Sequence, residues 1–431
     1  MRTDVLVVGG GGREHALVSG VKRSAGIGRV FCAPGNAGIG RDATLVPIQA
    51  DDLKGLADFA EREDIGLTVV GPEAPLVAGI ADVFRGRGLT VFGPSCDGAL
   101  LEGSKAFAKE VMACAGIPTA GAAAFTDYRS ARAYLEESGA PVVVKADGLA
   151  AGKGVTVALT IDQADAALRE CLLDRRFGDA GRTVLLEEYL MGEELSLLAI
   201  VSDDWVLPLA AAQDYKRIFD GDKGPNTGGM GCYSPVPSVR PHLYDEIADL
   251  AIRRTIEELT RRGTSFRGVL YAGVILTQSG PKVLEFNCRF GDPETQVLIP
   301  RLRSDLLEIL LAAARGEELP AAAEWMPGPC VGVVMASGGY PASSSSGDVI
   351  QGVEAASALE GVEVFHSGTA RNQEGELVTA GGRVLTVSAV GASFAEARKR
   401  AYSGVGLISF DGAQNRTDIG HRAQTAEEIR S

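Results

Sequence analysis

The stretch VVVKADGLAAGKGVTVAL (142–159) sets Lys145 at the end of an apolar β-branched run and Lys153 inside a glycine loop. A Walker A loop reads GxxxxGK, then Ser or Thr, then a helix. Here GLAAGKG is one residue short, the hydroxyl is missing, and β-branched residues follow. The pattern predicts a strand–loop–strand hairpin whose tip, with Gly152 and Gly154, folds over phosphates. Its two lysines suit the α/β- and γ-phosphates of a nucleotide. A surface hairpin without a ligand has the same signature. In KVLEFNCRFGDPETQ (282–296), strand alternation puts Glu285, Asn287 and Arg289 on one face. A carboxylate and an amide oxygen are hard ligands suited to Mg²⁺ on nucleotide phosphates. Arg289 beside them suits a transferring phosphoryl group or a carboxylate. A polar solvent face would alternate in the same way, but the apolar Phe286 and Cys288 opposite and the immediate GDPE turn fit it poorly.

Two further stretches carry polar residues in a pattern. LLEEYLMGEELS (185–196) ends a strand at Glu187–Glu188, turns after Tyr189 and resumes at Glu194. Backbone groups at such a hinge can read a base while a carboxylate holds ribose hydroxyls; glutamates beside a turn are also ordinary solvated surface. QDYKRIFDGDKGPNTGGMGCYSP (213–235) has three Gly-rich turns and the Lys216–Arg217 pair, the composition of a loop that orders over a ligand as a lid. The N-terminal VLVVGGGGREHAL (5–17) looks like a Rossmann entry, yet counting from Gly9 or Gly10 places Glu14 or His15 where the fingerprint needs its third small residue. The glycine turn still offers N–H groups and a positive helix end to an anion near Gly10–Arg13.

These residues need scaffolding. Residues 1–100 alternate strand candidates (Asp4–Val8, Arg29–Ala33, Leu67–Val70, Thr90–Phe92) with helices (Arg13–Ser24, Leu53–Glu63, Ala78–Gly86), which predicts a parallel α/β domain. Ligands in such sheets sit beyond the carboxyl ends of strands, where GGGG, APGN and GPEAP lie. After LEGSKAFAKE the pattern shifts to short strands with a helix over Asp162–Leu172, then more strands with long helices over Leu243–Arg262 and Asp305–Arg315. PAAAEWMPGPC reads as a linker and PASSSSGD as a loop. The remainder is strand-rich and ends with a helix near Ser393–Ser403. The domains expected are 1–103, 104–325 (with a small lid subdomain at about 122–192) and 326–431.

Net charge is −14 over 431 residues, which disfavours nucleic acid and anionic lipid as partners. Only ten of the 42 basic residues are lysines, so a lysine at a motif position carries information. Seven dispersed cysteines, with no CxxC, predict reduced thiols in a cytoplasmic protein rather than a disulfide frame or zinc site. The N-terminus lacks a signal pattern and no apolar run reaches bilayer length.

Together these motifs resemble the ATP-grasp ligases, and among them the glycinamide ribonucleotide synthetase family. The resemblance rests on GGGGREHAL, GNAG, GPEAPLVAGI, LEGSKAF, KADGLAAGKGV, EEYLMGEE, QDYKR, GPNTGGMG, LYAG and EFNCRFGDPETQ, with SGGYP, FHSGT and DIGHRA extending it almost to the C-terminus. QDYKR departs from it, with Tyr215 where relatives often show His. The resemblance implies a Rossmann-like N-terminal domain, central ATP-grasp domains and a small strand-rich C-terminal domain. It implies ligation of glycine to 5-phosphoribosylamine through glycyl phosphate, with ATP as substrate and Mg²⁺ or Mn²⁺ as cofactor, in a monomer. Lys105, Lys145, Gly152, Lys153, Gly154, Glu187, Glu188, Tyr189 and Glu194 would bind ATP, and Glu285 and Asn287 the metal. Arg289, Lys145 and Lys153 would act in catalysis. Substrate contacts are expected from Gly10, Gly12, Arg13, Glu73, Asp214, Lys216, Arg217, Asn226, Gly229, Asp292 and Glu294. GPNTGGMG and RFGDPE argue against biotin carboxylase-like and aminoimidazole ribonucleotide carboxylase-like relatives. The failed fingerprint argues against an oxidoreductase, and the intact Lys145, Lys153, Glu285 and Asn287 against an inactive nucleotide-binding module.

Overall fold

A computed structural model describes residues 2–150 and 154–430. The N-terminal region is a five-stranded parallel sheet in the spatial order Thr44–Leu45, Ile27–Pro34, Thr3–Gly9, Leu67–Val70, Val91–Phe92. Its central strand, TDVLVVG, is covered on both faces, which is why it reads as an unbroken apolar run. The helix Gly12–Lys22 that follows is buried along almost its whole length. It is packed between the first sheet and the later elements Thr295–Leu298, Leu306–Arg315 and Val362–His366. A helix walled in on all sides must bury its polar residues too, and Arg13, Glu14 and His15 are buried.

An antiparallel sheet follows, in the order Ala122–Phe125, Val184–Glu188, Val142–Ala146, Val155–Ala158. Helices Tyr128–Ser138 and Ile161–Leu172, N-capped by Asp127 and Thr160, pack beside it. The strand Ala122–Phe125 and the helix Tyr128–Ser138 have no counterpart in the sequence expectation, since three alanines carry little β signal. A second antiparallel sheet, Trp205–Pro208, Glu193–Ser202, Arg267–Thr277, Gly280–Asn287, forms the floor beneath it. The long helix expected over Leu243–Arg262 is broken into Pro241–Ile247, a π-helical stretch Ala248–Arg253 and Arg254–Arg261.

The C-terminal sheet corrects the expectation of a lid at 213–235. Its order is Gln213–Asp214, Gly231–Ser234, Cys330–Ala336, Arg383–Val390, Val362–His366. The supposed lid therefore supplies two strands of this sheet, joined through the hairpin Arg217–Phe219/Lys223–Asn226. Tyr215, Ile218, Met230, Cys232 and Tyr233 are buried, an anchoring pattern diluted by the surrounding glycines and charges. PASSSSGD is also not wholly loop, because the strand Ser346–Val349 starts within it. A second helix, His421–Arg430, follows Phe394–Val405, so the expected helix near Ser393–Ser403 is not the last.

Candidate active site

The lid and floor sheets meet at a cluster of lysines and carboxylates. Lys145 ends its strand with its ammonium 2.9 Å from Glu187 Oε2, on the neighbouring strand. Lys109 reaches the same oxygen at 3.4 Å, and all three side chains are largely buried. Lys145 also donates to the Leu284 carbonyl at 3.1 Å, tying the lid sheet to the floor. Lys105 donates to the carbonyls of Asp147 and Gly148. Glu187 Oε1 is buried with no hydrogen-bond partner among the described residues. Glu188 lies on the rim near Lys282, and Glu194 pairs with Lys216 at 3.1 Å. Gly154 accepts the Ala146 N–H at the hairpin base. Gly152 and Lys153 lie outside the described residues.

On the floor, Glu285, Asn287 and Arg289 project in a row. Arg289 is held by Glu102 at 3.0 Å, Glu73 at 3.4 Å and Asn287 Oδ1 at 3.1 Å. Burial pushes the Glu285 carboxyl up, but Lys216, Lys145, Lys105 and Arg289 outweigh it and leave it below the ordinary glutamate range. Burial raises Asp214 to about 7, with Glu294, Glu194 and Glu285 adding to the rise and Lys216 opposing it. Glu294 is held by Ser196 at 3.0 Å and by Tyr271 at 3.1 Å. Among the described residues no three His, Cys, Asp or Glu side chains cluster as metal ligands. Glu285 and Asn287 nonetheless fit a hard cation. Both offer oxygen, the carboxylate is kept ionised, and no hydrogen bond among the described residues ends on it. Mg²⁺ is held by one or two such ligands when substrate phosphates complete its shell.

Lys216 owes its place to the C-terminal region. Arg416, fully buried, donates to Asp418 at 2.8 and 2.6 Å, to Asp222 at 2.9 Å and to the Arg217 carbonyl at 3.0 Å. Its guanidinium lies 4.7 Å from the centre of the Tyr215 ring, whose hydroxyl accepts the Gly420 N–H. Tyr215 thus braces the loop from beneath.

A second cleft, of about 430 Å³, opens between the first sheet and the C-terminal sheet. Its walls are the glycine turns at Gly10–Gly11 and Gly35–Asn36, the Ser367–Thr369 turn, Asp292 and Arg383. Only glycine fits at position 10, where a Cβ would stand 2.5 Å from the Gly35 carbonyl oxygen. Gly12 opens the helix below, against Gln296 and Ser367. Arg383 binds Asp292 Oδ2 at 3.0 Å and the carbonyls of Gly228 and Asp292 at 2.6 and 2.8 Å. Gly229, at φ +109°, lies so close to Pro293 that a Cβ would come within 2.5 Å of its ring.

Most of the expected residues converge on these two places. Arg13 is corrected: its Nε binds Glu14 at 2.6 Å and its Nη1 the Phe290 carbonyl at 3.2 Å, so it faces into the packed helix rather than the cleft. Tyr189 and Arg217 line a different cavity, of about 570 Å³, at the exposed edge of the lid sheet, and Asn226 sits opposite Arg217 in the hairpin. Lys109, Glu102, Ser196, Tyr271 and Arg383 were absent from the sequence expectation. Lys109 had a signal, lying one helical turn beyond Lys105 in a lysine-poor chain.

Family models cover the chain in register with this architecture. They are the phosphoribosylglycinamide synthetase N domain at residues 3–102, its ATP-grasp (A) domain at 103–295 and its C domain at 330–422. The chain belongs to this family. A phosphoribosylamine–glycine ligase of Pseudomonas aeruginosa is 50% identical over 98% of this chain and 99% of its own length. One from Vibrio parahaemolyticus is 48% identical over the same shares. The crystal structure of the Thermotoga maritima phosphoribosylamine–glycine ligase matches with a TM-score of 0.84 at 32% identity, covering 96% of this chain and all of that one. The biotin carboxylase domain of a Hydrogenobacter thermophilus 2-oxoglutarate carboxylase, 18% identical with a TM-score of 0.75, shares the fold.

Proposed function

We propose that this chain joins glycine to 5-phosphoribosylamine, cleaving ATP to ADP and phosphate, and so forms glycinamide ribonucleotide for purine biosynthesis. One observation carries the reading. The loop RFGDPETQ holds Arg289 at the lysine–carboxylate cluster and, three residues later, Asp292 in the second cleft, so a single turn of chain spans both sites. A ligase needs its activated acyl group and its incoming amine at such a junction.

Lys105, Lys145 and Lys153, with the backbone of Gly152 and Gly154, hold the ATP phosphates. Glu187 and Glu188 form the adenine hinge, with Tyr189 following them toward the cavity at the sheet edge, and Glu194 lies toward the ribose. A divalent cation, Mg²⁺ or Mn²⁺, held by Glu285 and Asn287 supplies charge neutralisation at the phosphates. Glycine's carboxylate oxygen attacks the γ-phosphorus, and the bond to ADP breaks. Arg289 steadies the acyl phosphate, with Glu73 and Glu102 fixing its guanidinium. Asp214 and Glu294 face the glycine ammonium across from Lys216. The amine of phosphoribosylamine then attacks the acyl carbon, phosphate leaves with the bonding pair, and the nitrogen loses a proton. The ribosyl phosphate occupies the second cleft, between the Gly10 turn, Arg383 and the 367–369 turn. Closing this space matters because an acyl phosphate hydrolyses in water. Residues 1–103, 104–325 and 326–431 serve as amine-substrate, nucleotide and closing domains. All seven cysteines are free thiols, as suits the cytoplasm, where we place the chain as a monomer.

The deciding measurement is ADP release by purified protein with glycine and phosphoribosylamine added singly and together. Full turnover is expected only with both, and a glycine analogue lacking the carboxylate should be inert. Equal turnover without either substrate refutes the assignment.

A further inference from the structure

Two buried side chains beside the second cleft do no chemistry in the reaction above, and both are fully engaged. Asn36 donates through Nδ2 to the carbonyls of His366 (2.7 Å) and Gly10 (2.9 Å). Its Oδ1 accepts the N–H groups of Gly38 and Ile39, both at 2.9 Å. That uses the amide's four hydrogen-bonding positions, leaving none for a ligand. His15, on the first helix, accepts the His366 N–H through Nδ1 at 2.8 Å. A backbone N–H can be accepted only by an unprotonated ring nitrogen, so the ring proton lies on Nε2, facing Asp42 at 3.4 Å. Both residues therefore grip the same point, the backbone of His366, from the N-terminal side. The turn that starts there, Ser367–Thr369, is one wall of the cleft, and Gly10 and Asn36 belong to the opposite wall.

We propose that His15 and Asn36 are positioning residues for the phosphoribosylamine subsite: they clamp His366 and thereby set the width between the two cleft walls. The inference rests on assigning the second cleft to the phosphoribosyl group. The effective element is the acceptor at Nδ1 rather than the bulk of the ring, although the imidazole also packs against Phe365, 5.8 Å between centroids. This separates two substitutions with opposite expectations. His15→Asn keeps an acceptor where Nδ1 was but leaves space; His15→Phe fills the space but strands the buried His366 N–H, which is costly.

Steady-state kinetics on the full chain test this, with KM measured separately for phosphoribosylamine, glycine and ATP. His15→Phe is expected to raise KM for phosphoribosylamine tenfold or more, with KM for ATP and glycine changed less than twofold. His15→Asn should stay within about threefold of the parent. The reverse order, equal effects of the two substitutions, or a parallel rise in KM for ATP overturns the clamp. So does a chain that folds with phenylalanine but not with asparagine; the opposite folding result supports it. Ala380→Glu tests the underlying assignment, because Ala380 lines the cleft and is neither of the clamp residues. No change in KM for phosphoribosylamine in that variant refutes the cleft assignment itself. A rise there without one in His15→Phe refutes only the clamp.

Discussion

His366 should make the protein acid-sensitive well above the range where carboxylates titrate. Its ring is buried at the contact between the first and last sheets, and burial, helped by the Arg41 charge, pushes its pKa from 6.5 to about 3. The depressed pKa fixes the sign. Below pH 6.5 the unfolded chain binds a proton that the native chain refuses until about pH 3, so stability is fully present above 6.5 and drains away as pH falls. The linkage relation gives a loss of about 2 kcal/mol from this one group between pH 7 and pH 5. Urea titrations of the parent and of His366→Asn at both pH values isolate the effect, since groups common to both proteins cancel. The parent should lose about 2 kcal/mol more than the variant. An equal loss in the two proteins would mean that the His366 ring is charged, or reaches water, in the native state.

Glu187→Gln should cost about 3–5 kcal/mol in stability, because it leaves the buried ammonium groups of Lys145 and Lys109 without their shared carboxylate. Adding Lys109→Met should restore part of that loss in a double-mutant cycle, and an additive result would refute the coupling. Glu285→Gln should lower ADP release by about two orders of magnitude or more while circular dichroism and the melting temperature stay near those of the parent. Full activity would remove the metal assignment. Arg383→Met should weaken binding of glycinamide ribonucleotide, measured calorimetrically, while leaving ATP affinity within about twofold, since Arg383 and its partner Asp292 both line the second cleft.

The sequence was most informative where one local rule was sufficient. Arg29–Ala33 and Leu67–Val70 read as strands because they are short apolar runs with β-branched residues, and Leu67–Val70 is wholly buried. Glu285 and Asn287 share a face because strand alternation requires it, and Arg289, two residues past the strand end, is kept beside them by its bond to Asn287. What stayed hidden depended on distant chain. Glu102 meets Arg289 across 187 positions, a pairing no local pattern encodes. Arg383 begins an otherwise ordinary strand, and nothing near it marks it as the partner of Asp292. Arg13 misled because a residue at a helix N-terminus beside glycines normally faces an anion, whereas this helix is enclosed by later elements. The 213–235 segment misled because five buried anchors are dispersed among glycines and charges.

The strand exchange between those later elements also orders events on the ribosome. Gln213–Asp214 and Gly231–Ser234 reach the rest of their sheet only through Cys330–Ala336, which in turn pairs with Arg383–Val390, and the Lys216 loop is closed by Arg416. At synthesis rates of about 5–20 residues per second, the roughly 200 residues between Lys216 and Arg416 take on the order of 10–40 s to emerge. Through that interval the first sheet can be complete while Ile218, Met230 and Tyr233 still await their partners. The Lys216 loop is therefore completed only once Arg416 has emerged, close to the end of synthesis, so a chain released before that point lacks the brace beneath Tyr215.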